Sequence, residues 1–450
     1  MEKDEPRLPR GRFFRKKVKI LNIHGRDFDT RADSGQNIFV TEQQLGKPTL
    51  SLEFIDYHAI GMVRHLQKAG FTAYLVGGCV RDLMVGHMPK DFDIGTNALP
   101  QEVKKQLNYA FIIGRRFRLV LVKREDKQYE VATFRREPQE GEFPEGVPFG
   151  DNIFGTPEQD AFRRDFTCNA LFYDPVAEKV IDYVDGKKDI EDHIIKMIGD
   201  PKIRLAEDPI RILRALRFAH KLRFRIHPEL REEMHNFAET LQNAVLPRRR
   251  EEFLKLLRLH DPAATFREAF DLNLWKTILP SLHSAYENDE HTDLLEERLR
   301  RLDSRLVDPS DTPLLQGSLI LGWLRGHSKA GVEEPLRGSD LHSDPLNNFA
   351  KKELGLHNWE FSRIQRALGL QKVLLQADEF KKRGVRRRMA LLQSEAFPLA
   401  VDLAHIDAVL DPTLLEFWDA QLDIAVEEGH KIRPAAPRPR PSNRRRGRRH

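Results

Sequence analysis

The sequence predicts an α+β protein: a head with a small mixed sheet, then an all-helical body and a disordered basic tail. Three observations carry this. Short apolar runs bounded by glycine and charged residues cluster between residues 72 and 200. Past Glu207 the strand signals fade, and apolar residues recur at helical spacing. Residues 431–450 hold nine Lys or Arg and no acid.

Taken in order, residues 1–45 are polar and basic, with one short apolar stretch near Val18–Ile23, and read as a flexible arm. From Leu52 to Gln67, Ile55, Ile60, Met62, Val63 and Leu66 fit one face of a helix, and Gly70 fits its stop. Thr72–Val76 reads as a buried strand. Gly77 and Gly78 follow at once, then a helix through Val80, Leu83 and Met84. Asp91–Ile94, Phe117–Val122 and Tyr129–Phe134 read as further strands. Residues 137–159 hold four Pro and four Gly, a long loop of the kind that is usually functional or mobile. Residues 160–200 return to α/β. Helical periodicity then runs through Leu205–Leu222, Pro228–Leu241, Glu251–Leu259, Leu294–Leu306, Leu314–Leu324, Phe361–Leu375 and Val385–Leu410. No internal repeat is visible.

The 450 residues suffice for roughly three domains. Two cysteines, Cys79 and Cys168, exclude a disulfide scaffold and a cysteine-built zinc site, and suit a reducing compartment such as the cytoplasm. No apolar run approaches the ~20 residues of a membrane span. The basic N-terminal residues precede no apolar block, which argues against a secretory signal. The net charge of +5 hides a split: without the nine cations of the tail it becomes −4. A proline-spaced arginine tail cannot bury a core, and it reads as a sequence-blind tether for a polyanion.

Local chemistry concentrates in LVGGCVRD and KDFDI. On a strand, Asp91 and Asp93 share a face while Phe92 and Ile94 point to the core. Two carboxylates held that close repel unless a cation sits between them. Hard oxygen ligands with open positions suit Mg²⁺, which also binds substrate phosphates. Gly77 and Gly78, between strand and helix, allow the backbone to approach a phosphate, and Arg81 can clamp its oxygens. Glu130 adds a third carboxylate for a two-metal site if its strand lies beside that of Asp91. On position alone, Glu130 is equally an exposed residue of an edge strand. No G-x-x-x-x-G-K-[ST] and no H-E-x-x-H occurs.

LVGGCVRD, KDFDIGTNALP, RRDFTCNALFY and EDPIRILRALRF, in this order, resemble the class II nucleotidyltransferases, the group of bacterial poly(A) polymerases and tRNA CCA-adding enzymes. The motifs span Tyr74 to Phe218. Weaker similarity continues through LPRRREEFLKLL to the tail. The resemblance implies a nucleotidyltransferase head over 46–200, a base-reading neck over 201–265 and an RNA-binding body over 266–430. It implies that Asp91 and Asp93 hold catalytic Mg²⁺, joined by Glu130 of EVATFR in a two-ion site. It further implies that Arg163, Arg164 and Asp165, with Asn169 nearby, bind the triphosphate and ribose, Asp165 also serving as a supporting carboxylate. Glu207, Asp208 and Arg211 would read the incoming base with side chains in place of a template. Asp208 precedes Pro209, a good first helical residue, so it also reads as an N-cap with Arg211 one turn on. Arg214 and Arg217 would contact phosphate or RNA, and Arg248 to Glu252 would brace the helices.

Within the group, the GRRF of IIGRRFRLVLV, the DNIFG segment before RRDFT and the arginine tail resemble poly(A) polymerases, although Leu121 stands where those enzymes often have His. The implied activity is template-independent transfer of AMP from ATP to an RNA 3′-hydroxyl by a monomer. CCA- or A-addition to tRNA is the alternative.

Overall fold

The computed structural model describes residues 50, 52–114, 119–138, 153–302, 311–328, 331 and 334–431. The arm at 1–45, the tail beyond 431, residues 115–118 of the GRRF stretch and residues 139–152 of the Pro/Gly-rich loop lie outside them. Among the described residues the chain divides into two compact units, one running to Glu287 and the other formed by Asn288–Arg301 and Asp311 onwards.

The first unit opens with α1 (Tyr57–Lys68). Asp56 caps it, its Oδ1 accepting from the backbone N–H groups of His58 (2.8 Å) and Ala59 (3.3 Å). This cap moves the start later than the predicted Leu52, and Leu52–Phe54 is a separate 3-10 turn. The chain leaves α1 at Gly70, whose φ of +92° suits glycine. There follow β1 (Ala73–Val76), α2 (Gly78–Met84), β2 (Asp93–Thr96), α3 (Pro100–Gln106), β3 (Ala110–Ile113), β4 (Leu119–Arg124) and β5 (Lys127–Thr133). Then come α4 (Pro157–Phe162), β6 (Leu171–Asp174), β7 (Lys179–Asp182) and α5 (Gly186–Glu191).

Seven of these strands form one sheet, in the order β3-β4-β5-β2-β1-β6-β7. All neighbours are antiparallel except β2 and β5, which run parallel. The sheet is therefore mixed, as the sequence predicts. Strand β2 begins two residues later than predicted, so Asp91 precedes the strand and only Asp93 belongs to it. Val76, Phe134, Ala161, Ala170, Phe172 and Ile198 form a buried cluster against the sheet. Gly95 makes room for it: a Cβ there would lie 2.5 Å from Phe134 Cε1.

After the short β8 (Ile194–Ile195), the unit continues through α6 (Pro201–Glu207) and α7 (Ile210–Leu222). A two-residue β9 (Arg225–Ile226) returns to pair with β8. The unit closes with α8 (Pro228–Asn236), α9 (Leu246–Leu257), α10 (Pro262–Asp271), α11 (Trp275–Ile278) and α12 (Pro280–Tyr286). Trp275 is fully buried against Phe253 and Phe266, and its Nε1–H donates to the Phe266 carbonyl at 3.0 Å.

The described residues of the second unit are helical: α13 (Asp289–Arg300), α14 (Thr312–His327), α15 (Gly338–Leu341), α16 (Asp344–Asn347), α17 (Asn358–Gly369), α18 (Gln371–Leu374), α19 (Ala377–Lys382), α20 (Val385–Leu392), α21 (Ala396–Asp407) and α22 (Pro412–Lys431). Helix α14 is buried from Leu314 to Arg325 and is apolar nearly all round, as a central helix must be. Its Gly317 and Gly322 admit Leu403 of α21 and Leu295 of α13, which a Cβ would meet at 3.1 and 3.0 Å. The predicted helical run Val385–Leu410 is broken between Leu392 and Ala396.

Candidate active site

Strand β1 ends at Val76, and the next residue turns the chain into α2. Gly77 there has φ +73°, and a Cβ on it would stand 2.7 Å from Arg164 Nη1. The turn therefore calls for glycine at position 77, and a side chain there would also push aside the Arg164 guanidinium laid across it. Gly78 differs: a Cβ would meet only Arg81 Nη2 at an ordinary 3.7 Å. The sequence treats the two glycines alike, and the structure separates them.

Val76 is paired with Asp93 across the antiparallel β1/β2 ladder, and Asp93 with Glu130 across the parallel β2/β5 ladder. Partners in register share a face of the sheet, so Asp93 and Glu130 project the same way. Phe92 and Ile94 are buried on the opposite side, as the alternation predicts. Burial pushes the Asp93 carboxyl up to about 6, and the charges of Glu130 and Asp91 add to this against the opposing pull of Arg164. Asp91 and Asp93 both line a cleft of roughly 610 Å³, whereas Glu130 is exposed and outside the lining. Among the described residues no three His, Cys, Asp or Glu side chains converge as a ready metal shell. The three carboxylates predicted to share metal therefore do not form a closed set. Two carboxylates with open positions still fit Mg²⁺, which binds through one or two carboxylates plus substrate phosphates.

The rest of the cleft is dominated by cations. Arg81 is 3 % exposed. Its Nε and Nη2 donate to Asp82 Oδ1 at 2.9 and 2.6 Å, and its Nη1 donates to Asn169 Oδ1. Arg164 donates twice to Asp160 Oδ2, at 3.1 and 2.9 Å, and once to the Asn169 carbonyl at 3.1 Å. The Arg163 side chain lies 3.7 Å from Asp160. Asp165 accepts from the Phe166 N–H at 2.9 Å, from Asn169 Nδ2 at 3.2 Å and from Arg214 Nε at 2.8 Å. Burial alone would raise its pKa, but the charge and hydrogen bonds of Arg214 prevail and hold it below the usual carboxylate range. Arg217 Nε donates to Glu252 Oε2 at 2.9 Å, and Arg214 stands 3.7 Å from the same carboxylate. Asp165 faces a guanidinium that holds it ionised, which makes it an anchor for Arg214.

Several residues here were missed by sequence reasoning. Phe218 is buried, and three guanidinium carbons gather on its ring: Arg217 at 4.2 Å, Arg81 at 5.0 Å and Arg214 at 5.6 Å from the centroid. Asp160 carries Arg164. Glu252, read from the sequence as part of the bracing segment Arg248 to Glu252, carries Arg217. Lys221 reaches Asp82 at 3.2 Å and lines the cleft. A signal was present: Arg214, Arg217, Phe218 and Lys221 follow the i, i+3, i+4, i+7 pattern of one face of α7. Arg204 carried no such signal. Its Nη2 donates to the carbonyls of Arg163 (2.9 Å) and Arg164 (3.1 Å), and its Nη1 to Glu137 (2.6 Å) and Glu207 (3.0 Å).

Glu207, Asp208 and Arg211 do not line the cleft. Arg211 Nη1 donates to Glu207 Oε2 at 2.8 Å and to the Arg204 carbonyl at 2.6 Å, while Asp208 Oδ2 accepts from Arg248 at 2.7 Å. The predicted helix start is corrected by one residue: α7 begins at Ile210 with Pro209 as its cap residue. Asp208 still contributes to capping, its Oδ1 accepting from the Ile210 N–H at 3.3 Å.

A mixed sheet presenting carboxylates beside a glycine turn, opposite an arginine-lined cleft, is the layout of a nucleotidyltransferase head. Residues 73–196 match the family model described as poly A polymerase head domain, and residues 223–286 match the probable RNA and SrmB-binding site of polymerase A. The chain is 40 % identical to poly(A) polymerase I of Salmonella typhi over 269 residues, 57 % of this chain and 58 % of that protein. It is 37 % identical to the CCA-adding enzyme of Lactobacillus johnsonii over 232 residues, 51 % of this chain and 57 % of that one. The match thus spans under two thirds of the length of these curated relatives. In fold, it resembles the Bacillus stearothermophilus CCA-adding enzyme in complex with CTP (TM-score 0.54, 23 % identity, 82 % of both chains). It also resembles the Thermotoga maritima CCA-adding enzyme complexed with tRNA (TM-score 0.54, 18 % identity, 86 % and 91 %). The two matched segments both lie in the first unit, and over them the chain is similar to poly(A) polymerases and CCA-adding enzymes. No helix among the described residues is long and apolar enough to cross a membrane.

Proposed function

We propose that the protein adds AMP from ATP to RNA 3′ ends without a template, releasing pyrophosphate, as a cytoplasmic monomer acting in RNA processing. The observation that supports this most is the placement of Asp91 and Asp93 on the wall of a cleft whose other walls carry Arg81, Arg163, Arg164, Arg214 and Arg217. Carboxylates for a metal facing cations for a triphosphate are the two halves of nucleotidyl transfer.

In this reading the RNA 3′-oxygen attacks the α-phosphorus, and the bond to the bridging oxygen breaks as pyrophosphate leaves. Asp91 and Asp93 would hold Mg²⁺, which when bound lowers the pKa of the attacking hydroxyl and offsets charge on the phosphates, with Glu130 as the outlying third carboxylate of a two-ion arrangement. Arg81 and Arg164 are fixed before substrate arrives by Asp82, Asn169 and Asp160, so little reorganisation is needed when charge develops on the leaving group. Asp165 and Asn169 hold this wall together, with Gly77 and Gly78 giving backbone access to the nucleotide. Glu207, Asp208 and Arg211 select adenine by exchanging present internal hydrogen bonds for bonds to the base edge.

The 37 % identity to a CCA-adding enzyme supports a second reading, repair of tRNA 3′ ends. One experiment separates them: incubation with each single NTP and two primers, an unstructured RNA and a tRNA lacking its 3′ end. Long tails with ATP alone on the unstructured RNA are the expected result. CTP incorporation that stops at the tRNA terminus would replace the first reading with the second.

A further inference from the structure

The second unit lies outside both matched segments, yet it carries the densest run of Lys and Arg along the described part of the chain. Lys381, Lys382, Arg383, Arg386, Arg387 and Arg388 fall within eight positions bridging α19 and α20, and no acid occurs from Phe380 to Ser394. Lys381, Lys382, Arg386 and Arg387 are exposed, and Arg383 is half-buried.

An ordinary solvated helix face balances its cations with acids one turn away. This unit does so elsewhere. In α13, Arg300 meets Glu296 at 2.8 Å and Arg301 meets Glu297. In α19, Lys381 meets Asp378 at 3.0 Å and Lys382 meets Glu379 at 2.6 Å. Helix α20 breaks the habit. None of its three arginines has an acid three or four residues away on either side. Arg383, Arg386 and Arg387 form no ion pair or side-chain hydrogen bond with another described residue. All three arginines of α20 also sit in its first turn, the positive end of the helix dipole, where cations are destabilising. Folding alone gives no reason for such a cluster. A polyanion does, since guanidinium forks fit phosphate oxygens and each contact releases counterions.

We propose that the α19–α20 surface centred on Arg383, Arg386 and Arg387 is a sequence-blind binding site for the phosphate backbone of single-stranded RNA. The choice of RNA over other polyanions rests on the proposed RNA-directed activity. The charge imbalance itself does not. The rings beside this patch lie under Arg388 (Phe380, 6.0 Å, fully buried) and Lys381 (Phe417, 5.0 Å, half-buried), and none among the described residues lies against Arg383, Arg386 or Arg387, so these three grip backbone and the site suits an RNA of any sequence.

The test uses the full chain without ATP and measures anisotropy of a fluorescein-labelled oligo(U) across a salt series. The triple variant Arg383→Gln, Arg386→Gln, Arg387→Gln is expected to bind about tenfold more weakly. Its log–log salt slope should shrink by about 0.7 for each phosphate no longer neutralised. Thermal stability should hold or rise, because repulsion is removed. Two comparators sharpen the result. The Arg→Lys version of the triple should keep the salt slope. The pair Arg300→Gln, Arg301→Gln, taken from neutralised positions, should leave RNA binding unchanged. An unchanged slope in the triple Gln variant, or an equal loss in the Arg300/Arg301 pair, overturns the proposal. So does patch-dependent binding to phosphatidylserine vesicles with RNA binding intact. Addition of a single AMP to a short primer is assayed separately. Its absence with patch-dependent RNA binding intact would count against the proposed catalysis and leave the patch standing.

Discussion

Both units bury arginines against carboxylates, and the two clusters differ in one respect that separates chemistry from architecture. In the second unit Arg298 of α13 and Arg325 of α14 converge on Asp407 of α21. Arg298 donates at 3.1 and 2.9 Å to Oδ1, and Arg325 Nε stands 3.1 Å from each oxygen. Side chains of all three are at most 3 % exposed. In the first unit, Arg81, Arg164, Arg214 and Arg217 are also tied to carboxylates, yet every one of them keeps a side on the cleft. The closed cluster cross-links three helices. The open one is held rigid by its acids while its outer surface stays available. Burial of charge alone does not mark a functional site; burial on one side of a cavity does.

The largest effect that would break this comparison is on turnover. Asp93→Ala should lower nucleotide addition by at least about a thousandfold, the scale of losing a metal-dependent step. Circular dichroism and melting temperature should stay unchanged or improve. Near-wild-type turnover in this variant sinks the assignment of Asp93 to the metal. Asp407→Ala should do the reverse. Two buried guanidiniums left without their carboxylate cost about 3–5 kcal/mol, to be read from denaturant midpoints. A neutral result there would mean that the closed cluster does not brace the second unit.

A smaller effect is expected at Phe218. Its ring holds three guanidiniums that would otherwise repel, so Phe218→Leu should raise the KM for ATP by about three- to tenfold. Phe218→Tyr should restore it. Equal KM values for the Leu and Tyr variants would reduce Phe218 to packing. Arg211→Ala should weaken discrimination between ATP and the other nucleotides by about tenfold, one good hydrogen-bonded contact. Unchanged relative incorporation of the four nucleotides would remove Arg211 from base choice.

The smallest effects lie in the pH dependence of stability, where two carboxylates of the open cluster should act with opposite sign. Asp165 is held below its ordinary value, so the stability it contributes is present above the unfolded carboxylate range and is lost as pH falls through its folded pKa. Asp93 is raised from 3.8 to about 6, so its contribution is present below about 4 and is lost as pH rises through about 6. In EDTA, Asp93→Asn should therefore gain on wild type between pH 4 and 6, by about 1–3 kcal/mol. Asp165→Asn should be less stable than wild type at neutral pH and converge on it in acid. Melting curves with parallel pH profiles for the two variants would refute the opposed environments.

Much of the site was legible before folding, because its residues lie in short contiguous motifs. The alternation that buries Phe92 and Ile94 placed Asp93 on the open face, and Gly77 announced a turn that no other residue adopts easily. The exact start of β2 was not legible, since Asp91 reads as well on a strand as beside one. Asp160 stands four residues before Arg164, a spacing too common to mark a site. Arg204 carried no local signal, and the bracing segment that holds Glu252 did not name its partner, because the pairs Arg204–Glu137 and Arg217–Glu252 are brought together only by the folded chain.

The sequence by itself determined the order of an α/β head and helical segments, the glycine turn, the carboxylate pair and the charge imbalance of α20, all consequences of local periodicity, backbone sterics and composition. Tertiary structure alone decided how deeply Asp93 is buried, which lifts its pKa, and that β2 and β5 are parallel neighbours, which sets Glu130 beside it and adds to that lift. It also decided that Arg81, Arg214 and Arg217, from two helices, share the ring of Phe218, and that Glu207, Asp208 and Arg211 are hydrogen-bonded away from the cleft. Strand pairing and side-chain capture depend on contacts between residues distant in the chain, and no local pattern encodes which distant partner wins.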